Sequence, residues 1–373
     1  MISFLSVFPP YRGGIAKFSD SLYRELSLQT TVRPFSFKKL YPSLLFPGTT
    51  QKLEDGPKAY APEIFHPYQP FNWKHASEQI LVDKPETLLY SYWHPFFAPG
   101  FRKVLAHSKK ARPGLKTVGI AHNIMPHEYF PFKKYLTERL LGETDLTILL
   151  SEQTESDFKK LDTGSQYLKL FHPIYELEKP QEDAGSLRSK YGFKEDDHIV
   201  LFLGLVRDYK GVDILIDALN EIMKERDRIR PFIVGEFYTD KSKLLNRIDD
   251  NVRNRFTIMD EFVSEEAMAE ILTLSDLMVL PYKEASQSGV LANAIYFNLP
   301  ALVTDQPGLS EHLKHRHNGM ICRPRDAQDL RKKIEAYFDE GLKEKLSHNL
   351  EPLKKDLSWE KFGRKLLQEI KSL

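Results

Sequence analysis

Short hydrophobic runs recur along the first half of the chain and alternate with segments of helical spacing. The runs are ISFLSVF, TLLYSYW, KTVGIAH and LTILLS, and the first leads through a Pro- and Gly-containing turn into IAKFSDSLYREL. Continuous apolar runs of this length are typical of strands that are buried on both faces. Strands that alternate with helices predict a parallel sheet covered by helices on both sides.

The second half repeats this pattern more clearly. The strand-like runs are HIVLFLGLV, RPFIVGEF, DLMVLPY and PALVT, and GVDILIDALNEIMKE and SEEAMAEILTLS separate them as amphipathic helices. Glu265 and Glu266 place negative charge in the first turn of the second helix, where the helix dipole favours it. We therefore predict a second doubly wound sheet.

A polar stretch containing Pro180 and Gly185 separates the two patterns, and a chain of 373 residues favours two domains. We predict an α/β protein with two Rossmann-like doubly wound domains, at 1–176 and 186–354. An amphipathic helix over 355–373 follows and can pack on either domain, including by crossing back to the first. Ligands of such sheets bind at the carboxyl ends of the strands, so we expect a cleft between the domains.

The composition is that of a globular protein, with 41% hydrophobic and 28% charged residues. No apolar run reaches about 18 residues, and the N-terminus begins with a strand-like segment instead of a signal peptide. The single cysteine, Cys322, permits neither an internal disulfide nor a cysteine-based zinc site. These features predict a cytoplasmic protein.

The charges are unevenly distributed. Residues 1–172 contain 22 Lys and Arg against 16 Asp and Glu, whereas the remaining residues contain 31 against 36. This is either chance variation between domains or a basic N-terminal domain that faces an anionic membrane surface or acceptor. The basic residues are dispersed, so nucleic acid is not predicted as a partner. Residues 40–75 are dense in Pro and aromatics, which favours an ordered irregular excursion over an acceptor-binding or membrane-touching loop.

Gly13 and Gly14 lie between the first predicted strand and the first helix. Glycines there allow backbone amides to approach a phosphate or sugar, although a tight turn without ligand has the same pattern. His122 ends the strand-like KTVGIAH and is expected at the ligand-binding edge, where a structural role is the alternative. His122 and His127 do not share a helical face, so no metal site is predicted.

Two basic residues, Arg207 and Lys210, lie in the loop between HIVLFLGLV and the helix that follows it. A guanidinium fork and an ammonium group near a helix N-terminus suit a diphosphate. The alternative is a solvated basic loop. The loop's position at the carboxyl end of a strand favours a functional interpretation.

The stretch PYKEASQSGVLANAIYFNLPALVT carries the most information. A buried strand ends at Pro281, and a small, flexible turn precedes a helix. The amides of Ser288 and Gly289 would lie at the helix N-terminus and form an anion site. Glu284 just before them can accept hydrogen bonds from sugar hydroxyls. An ordinary strand–loop–helix joint is the alternative.

Several segments together resemble the retaining glycosyltransferases of family 4, which adopt the GT-B fold. These are FPPYRGGIAKF, IAHNIMPHE, LGLVRDYKGVDILIDAL, the segment FVSEEAMAEILTLSDLMVLPY with the loop that follows it, PALVTDQPGLSEHL and GMICRPRDAQDL. YSYWHPFFAPGF also resembles a bacterial subgroup. The resemblance extends over most of the chain.

The sequence departs from this family at the donor motif. The family has two Glu eight residues apart, and counting back from Pro300 places Ala285 and Asn293 at those positions. Glu284 is offset by one residue. Asn293 can still hydrogen-bond ribose hydroxyls.

A second departure concerns the basic loop. The family's usual Arg lies five residues before the Lys, where this chain has Leu205, and Arg207 stands two residues later. A subgroup with similar SQSGV loops shares these features. We therefore interpret the departures as variation, with a catalytically silent sugar-nucleotide-binding paralogue as the alternative.

The resemblance implies transfer of a sugar from a nucleotide-sugar donor to a glycan or lipid-linked acceptor in polysaccharide biosynthesis. His122, Arg207, Lys210 and Glu284 are the predicted catalytic residues, and Arg207 and Lys210 would neutralise the leaving diphosphate. The predicted donor-binding residues are Gly13, Gly14, Ser288, Gly289 and Asn293. No cofactor and no metal are expected.

For the cytoplasmic protein predicted above, the basic N-terminal domain also predicts peripheral contact at the inner face of the membrane. A sugar epimerase or a phosphorylase on the same fold is the other alternative. The carboxylates or the pyridoxal phosphate lysine that those enzymes need are not seen in the sequence.

Overall fold

The computed structural model describes residues 1–41, 51–52, 59–125, 130–285 and 288–373. Predictions that concern His127, the first two residues of the SQSG turn and most of the Pro-rich segment after Tyr41 lie outside these residues. The chain divides into two compact units. The N-terminal unit contains residues 1–172 and 358–373, and the C-terminal unit contains residues 173–357.

The N-terminal unit is built on a seven-stranded sheet in the order β3-β2-β1-β4-β5-β6-β7, and its strand pairs are parallel. The strands are β1 Ile2–Leu5, β2 Val32–Phe37, β3 Glu63–Phe65, β4 Thr87–Tyr92, β5 Lys116–Ala121, β6 Leu146–Leu149 and β7 Gln166–Lys169. The helices are α1 Gly14–Ser27, α2 Pro70–Ile80, α3 Ala98–Ala111, α4 Lys133–Leu141, α5 Glu152–Phe158 and, at the chain end, α15 Trp359–Ser372.

Helices cover both faces of this sheet. The chain moves in one direction from β1 to β2 and in the other from β4 to β6, so right-handed crossovers place α1 and α4 on opposite faces. Helix α3 packs between α2 and α4 in one layer, while α1 packs with α15 in the other. The central strands β1 and β4 are buried along their whole length because both faces are covered.

Helix α15 belongs to the N-terminal unit although the C-terminal unit precedes it in the chain. The ring of Phe18 in α1 lies 5.0 Å from the ring of Trp359 and 5.9 Å from that of Phe362, centroid to centroid. The buried residues of α15 recur at helical spacing and form one apolar stripe: Trp359, Phe362, Gly363, Leu366, Leu367 and Ile370.

The C-terminal unit contains a six-stranded parallel sheet in the order β10-β9-β8-β11-β12-β13. The strands are β8 His198–Leu203, β9 Ile229–Val234, β10 Thr257–Met259, β11 Leu277–Leu280, β12 Ala301–Thr304 and β13 Met320–Cys322. The helices are α6 Ala184–Lys190, α7 Val212–Glu225, α8 Lys241–Leu245, α9 Glu265–Leu274, α10 Gly289–Tyr296, α11 Pro307–Ser310, α12 Ala327–Asp339, α13 Lys343–His348 and α14 Glu351–Asp356.

Strand β8 pairs with β9 on one side and β11 on the other, so the strand order reverses at this point. Loops after adjacent strands diverge at such a switch point and leave a crevice at the carboxyl edge of the sheet. The loops after β8 and β11 are therefore the first place to look for a ligand site.

The predicted α/β fold with two Rossmann-like parallel sheets is confirmed. The structure adds strands that the hydrophobic pattern did not indicate, among them β2, β7 and β13. The division between the units falls after His172 and after Leu357, whereas the sequence places the boundaries at 176, 186 and 354. The amide of Ile174 donates to the carbonyl of Leu357, which ties the segment after His172 to the C-terminal unit.

None of the helices in the described part of the chain combines the length and the apolar character needed to cross a bilayer.

Replacing Phe362 by Ala should destabilise the N-terminal unit by about 3–5 kcal/mol, because it removes a fully buried ring that packs on Phe18 and Phe171. All three tryptophans, Trp73, Trp93 and Trp359, lie in this unit, so their fluorescence during denaturant unfolding reports on it alone.

The exposed Gln368 on the same helix provides the control, since Gln368→Ala should change the free energy of unfolding by less than about 0.5 kcal/mol. Equal effects of the two substitutions would show that α15 contributes no packing to the unit.

Candidate functional site

The loop after β8 begins at Gly204 and ends at Gly211, where α7 starts. It contains Arg207 and a single 3₁₀ turn over Asp208–Lys210. Val206 forms an isolated β-bridge with Phe237 in the loop after β9, so the β8 loop is also fixed on the side of β9. The basic residues therefore stand on a fixed backbone at the carboxyl edge of the sheet.

Gly211 brings the β8 loop against the end of β11. Its φ of 68° is left-handed, and a Cβ at this position would lie 2.0 Å from the carbonyl oxygen of Pro281. The amide of Lys283 donates to the carbonyl of Tyr209 at 2.7 Å. Only glycine permits this backbone approach, so the two loops are directly joined.

The side chain of Lys210 turns into the space above Gly204. Its Nζ lies 5.0 Å from the ring centroid of Tyr282 and would be 3.1 Å from a Cβ on Gly204. Among the residues that the structure describes, Lys210 has no carboxylate partner within ion-pair distance. The ring face attracts the ammonium group without neutralising it.

Arg207 lies in the same loop but rests on a different ring. Its guanidinium carbon is 5.1 Å from the ring centroid of Tyr238, in the loop after β9. The neighbouring Asp208 accepts a hydrogen bond from the Thr239 hydroxyl at 2.6 Å. The two predicted phosphate-binding cations are therefore both present at this edge, each supported by an aromatic side chain.

Helix α10 begins at the second loop. The Ser288 hydroxyl accepts a hydrogen bond from the amide of Leu291 at 3.2 Å and so caps the helix. This leaves the amides of Gly289 and Val290 without partners within the helix. Val290 Cγ2 would be 3.4 Å from a Cβ on Gly204, so the start of α10 and the Lys210 ammonium border the same small space.

Two buried polar atoms near this loop have no hydrogen-bond partner among the described residues. They are the Tyr282 hydroxyl and the Asn293 carbonyl oxygen Oδ1. The Nδ2 of Asn293 donates to the sulfur of Met268, at 3.1 Å. Buried polar atoms without partners are costly to a fold, so both atoms are candidates for contact with a ligand.

Glu284 lies on the same loop, but its side chain faces Arg325 at 3.3 Å. Both groups are more than half exposed, and such a pair contributes about 0–1 kcal/mol. Glu284 can therefore give up its ion pair with Arg325 and accept a hydrogen bond from a sugar hydroxyl at little cost in free energy.

Gly13 and Gly14 form the start of α1 in the N-terminal unit. Gly13 has a φ of 108°, and a Cβ on either glycine would meet no atom within 4 Å. The helix has no acidic residue in its first turn and no side-chain cap. Because its first turn carries no negative charge, the helix dipole favours an anion there.

His122 follows β5, and its amide donates to the carbonyl of Tyr92 at 2.8 Å. The side chain is 2% exposed, and its ring meets that of Phe18 edge to face at 4.6 Å between centroids. Burial, together with the neighbouring His172, lowers the pKa of His122 to about 3. His122 is therefore neutral at physiological pH and does not act there as an imidazolium.

The predicted residues thus fall into two groups. Arg207, Lys210, Ser288, Gly289 and Asn293 lie on the joined loops and helix starts at one edge of the C-terminal sheet, with Glu284 on the same loop. Gly13, Gly14 and His122 lie in the N-terminal unit.

Sequence reasoning missed Gly204, Tyr238 and Tyr282 as parts of the site. Tyr282 carries one local signal, its place directly after Pro281 at the end of a strand. Within the described part of the chain no cluster of three or more His, Cys, Asp or Glu could hold a metal. The expected metal independence stays a prediction.

Comparison with known proteins bears on the family and on the fold. Residues 183–353 match the family model described as glycosyl transferases group 1. The chain is 28% identical over 171 residues to the alpha-D-kanosaminyltransferase of Streptomyces kanamyceticus, across 45% of this chain and 43% of that protein. It is 23% identical over 272 residues to the putative teichuronic acid biosynthesis glycosyltransferase TuaC of Bacillus subtilis, across 72% and 66%. The aligned segments thus span less than two thirds of both relatives.

Among solved structures, the crystal structure of Anabaena Alr3699/HepE in complex with UDP-glucose superposes with a TM-score of 0.74. The identity is 16%, and the alignment covers the whole of both chains. At this identity the likeness shows the fold, which is GT-B. The family match covers less than half of the chain and lies within the C-terminal unit, so it identifies a group 1 glycosyl transferase segment at residues 183–353. Membership of the retaining family 4 in particular stays a prediction.

The buried His122 predicts a pH dependence of stability. Its pKa is about 3 in the folded state and about 6.5 in the unfolded state. The unfolded state therefore binds the extra proton between these values, and stability is lost as the pH falls through this window. The loss is at most about 1.4 kcal/mol per pH unit.

The free energy of unfolding of the N-terminal unit can be followed by tryptophan fluorescence from pH 7 to about 4.5. It should depend less steeply on pH in His122→Gln than in the native protein. His75 is exposed and makes a suitable control, because His75→Gln should keep the native slope. An unchanged slope in His122→Gln would show that His122 is not held neutral in the folded protein.

Proposed function

We propose that this protein is a retaining glycosyltransferase that moves a sugar from a nucleotide-sugar donor to a glycan or lipid-linked acceptor. The observation that carries the proposal is the space above Gly204, which the Lys210 ammonium and the start of α10 border together. In the described part of the chain Lys210 has no carboxylate partner, and the first amides of α10 have no partner within the helix, so both attract an anion. Two such groups at one point suit a diphosphate better than a single carboxylate.

In this proposal the distal phosphate of the donor accepts hydrogen bonds from the amides of Gly289 and Val290. Lys210 and Arg207 neutralise the charge that develops on the diphosphate as the glycosidic bond breaks. Stabilisation of a leaving group by fixed charges is among the largest contributions to catalysis, and removal of one donor costs about 10²–10³ in rate. Tyr282 and Tyr238 hold the two cations in place before the donor arrives.

The carbonyl oxygen of Asn293 has no partner among the described residues and is suited to accept a hydrogen bond from a ribose or sugar hydroxyl. Glu284 provides a second acceptor once it releases Arg325. Asn293 stands where the resembled family has Glu, and a neutral acceptor can replace a charged one because ribose hydroxyls are neutral. Gly13, Gly14 and His122 are assigned to contacts with the donor sugar and the acceptor.

Relatives support the donor and acceptor classes. Anabaena Alr3699/HepE was crystallised with UDP-glucose, and TuaC is named for teichuronic acid biosynthesis. We therefore expect a UDP-, GDP- or ADP-sugar as donor and a growing polysaccharide or its lipid-linked precursor as acceptor. The acceptor hydroxyl attacks the donor sugar on the face from which the diphosphate leaves, and the leaving diphosphate takes the hydroxyl proton, so no enzymic nucleophile is needed. No metal is assigned to the reaction. The proposed location is the inner face of the membrane.

Removal of the Lys210 charge tests the donor site. Lys210→Met retains an aliphatic chain over the Tyr282 ring, so the fold should be kept. We expect transfer or donor hydrolysis to fall about 10²-fold or more. In a thermal-shift assay against UDP-, GDP- and ADP-sugars, the variant should lose most of the increase in melting temperature that a donor gives the native protein.

Lys194 is an exposed lysine in the turn that precedes β8, and Lys194→Met serves as the matched control. It should leave both activity and thermal shift unchanged. A loss of activity well under tenfold in Lys210→Met, with the donor shift intact, would refute the role given to Lys210. If a donor raises the melting temperature of the native protein but is not turned over, that result would instead support a catalytically silent paralogue.

A further inference from the structure

Asn293 offers a buried hydrogen-bond acceptor one helical turn after the start of α10. It follows Gly289 by four residues, so both lie on one face of the helix, about 6 Å apart along its axis. The side chain of Asn293 is 6% exposed, and its Oδ1 has no hydrogen-bond partner among the described residues. A nucleotide whose phosphate reaches the amide of Gly289 can therefore place its ribose beside this oxygen.

Helix α9 fixes the orientation of the Asn293 amide. The Nδ2 of Asn293 donates to the sulfur of Met268 at 3.1 Å. A thioether sulfur is a weak acceptor and cannot donate, so the nitrogen of the amide faces it and the oxygen does not. The Oδ1 atom is therefore the group that Asn293 presents to a ligand.

The contact that orients this amide is uncharged. Two acids begin helix α9, and one of them, Glu266, hydrogen-bonds the side chain of Ser264, which lowers its pKa. The other, Glu265, stands three residues before Met268 and so lies on the same face of α9. Any charged group that could read the ribose in place of Asn293 is thus expected at Glu265, which the experiment below includes.

A neutral acceptor discriminates weakly between ligands. A hydrogen bond between neutral groups changes an equilibrium constant about two- to tenfold, whereas one to a charged group changes it about ten- to a hundredfold. A buried carboxylate would impose the larger factor on a ligand that lacks one hydroxyl, because the carboxylate oxygen would then lose its partner. The amide of Asn293 imposes the smaller factor.

We propose that the donor site accepts nucleotides of the 2′-deoxy series, such as thymidine diphosphate sugars, nearly as well as nucleotides that contain ribose. The two kinds of nucleotide differ at one hydroxyl, so Asn293 loses at most one neutral hydrogen bond to a 2′-deoxy donor. The expected penalty in binding is at most about tenfold. The inference rests on the proposed function, because it assigns the specificity of the same donor site.

Paired nucleotides that differ in the 2′ oxygen alone test this specificity. Calorimetry measures the binding of UDP and dUDP, GDP and dGDP, and ADP and dADP to the full-length protein. In the pair that binds most tightly, the Kd of the 2′-deoxy member should exceed that of its ribose partner by no more than about tenfold. A larger ratio would overturn the proposal.

A carboxylate at position 293 should sharpen the discrimination. Asn293→Asp keeps the shape of the side chain and adds a charge, and Asn293→Glu adds the same charge on a longer stem. In either variant that folds, the ratio of the two Kd values should rise about tenfold above the native ratio, because each ribose hydroxyl now meets a charged acceptor. A native ratio in both folded variants would show that residue 293 does not read the ribose.

Two matched controls accompany these variants. Asn254→Asp makes the same change at an exposed residue just before β10 and should keep the native ratio. Glu265→Gln should also keep it. If Glu265→Gln alters the ratio while Asn293→Asp does not, the ribose is read from α9 and the assignment to Asn293 fails.

Turnover separates this inference from the proposed function. If a 2′-deoxy diphosphate binds within about tenfold of its ribose partner but no nucleotide sugar is turned over, the proposed function fails and the specificity stands. If a ribose donor is turned over while its 2′-deoxy counterpart binds more than about tenfold more weakly, the inference fails and the proposed function stands.

Discussion

The close contact between Gly211 and Pro281 is the constraint on which the donor site depends. A Cβ at Gly211 would lie 2.0 Å from the Pro281 carbonyl oxygen, so the β8 and β11 loops meet only because the residue is glycine. The hydrogen bond from Lys283 to Tyr209 holds the same junction from the other side. The cations of one loop and the helix start of the other are thereby set before a ligand binds, which lowers the ordering cost of binding.

The electrostatics of these loops support the same account. Lys283 pairs with Asp213 at 2.9 Å, and Arg325 pairs with Glu284. Lys210, in contrast, faces an aromatic ring and has no carboxylate partner among the described residues. The C-terminal part of the chain has more acidic than basic residues, so a cation kept free of them is suited to a phosphate.

The sequence predicted the central strands and the long helices, because continuous apolar runs such as HIVLFLGLV mark strands buried on both faces. It missed β7, whose residues are largely exposed at the sheet edge, and β2, which contains Pro34. Arg207 and Lys210 were found from their position after a strand. The Asn293 oxygen, which has no partner among the described residues, and the packing of Phe18 against His122 both depend on contacts between distant segments. A local sequence pattern does not reveal such contacts.

Hydrogen exchange of the full chain, with and without a stabilising nucleotide sugar, tests the central claim most directly. The account predicts slower amide exchange in two separate segments, residues 204–211 and the start of α10 at Gly289 and Val290. The corresponding nucleoside without phosphates should protect neither segment. If a donor binds and raises the melting temperature while both segments exchange as they do in the free protein, the joined loops are not the diphosphate site.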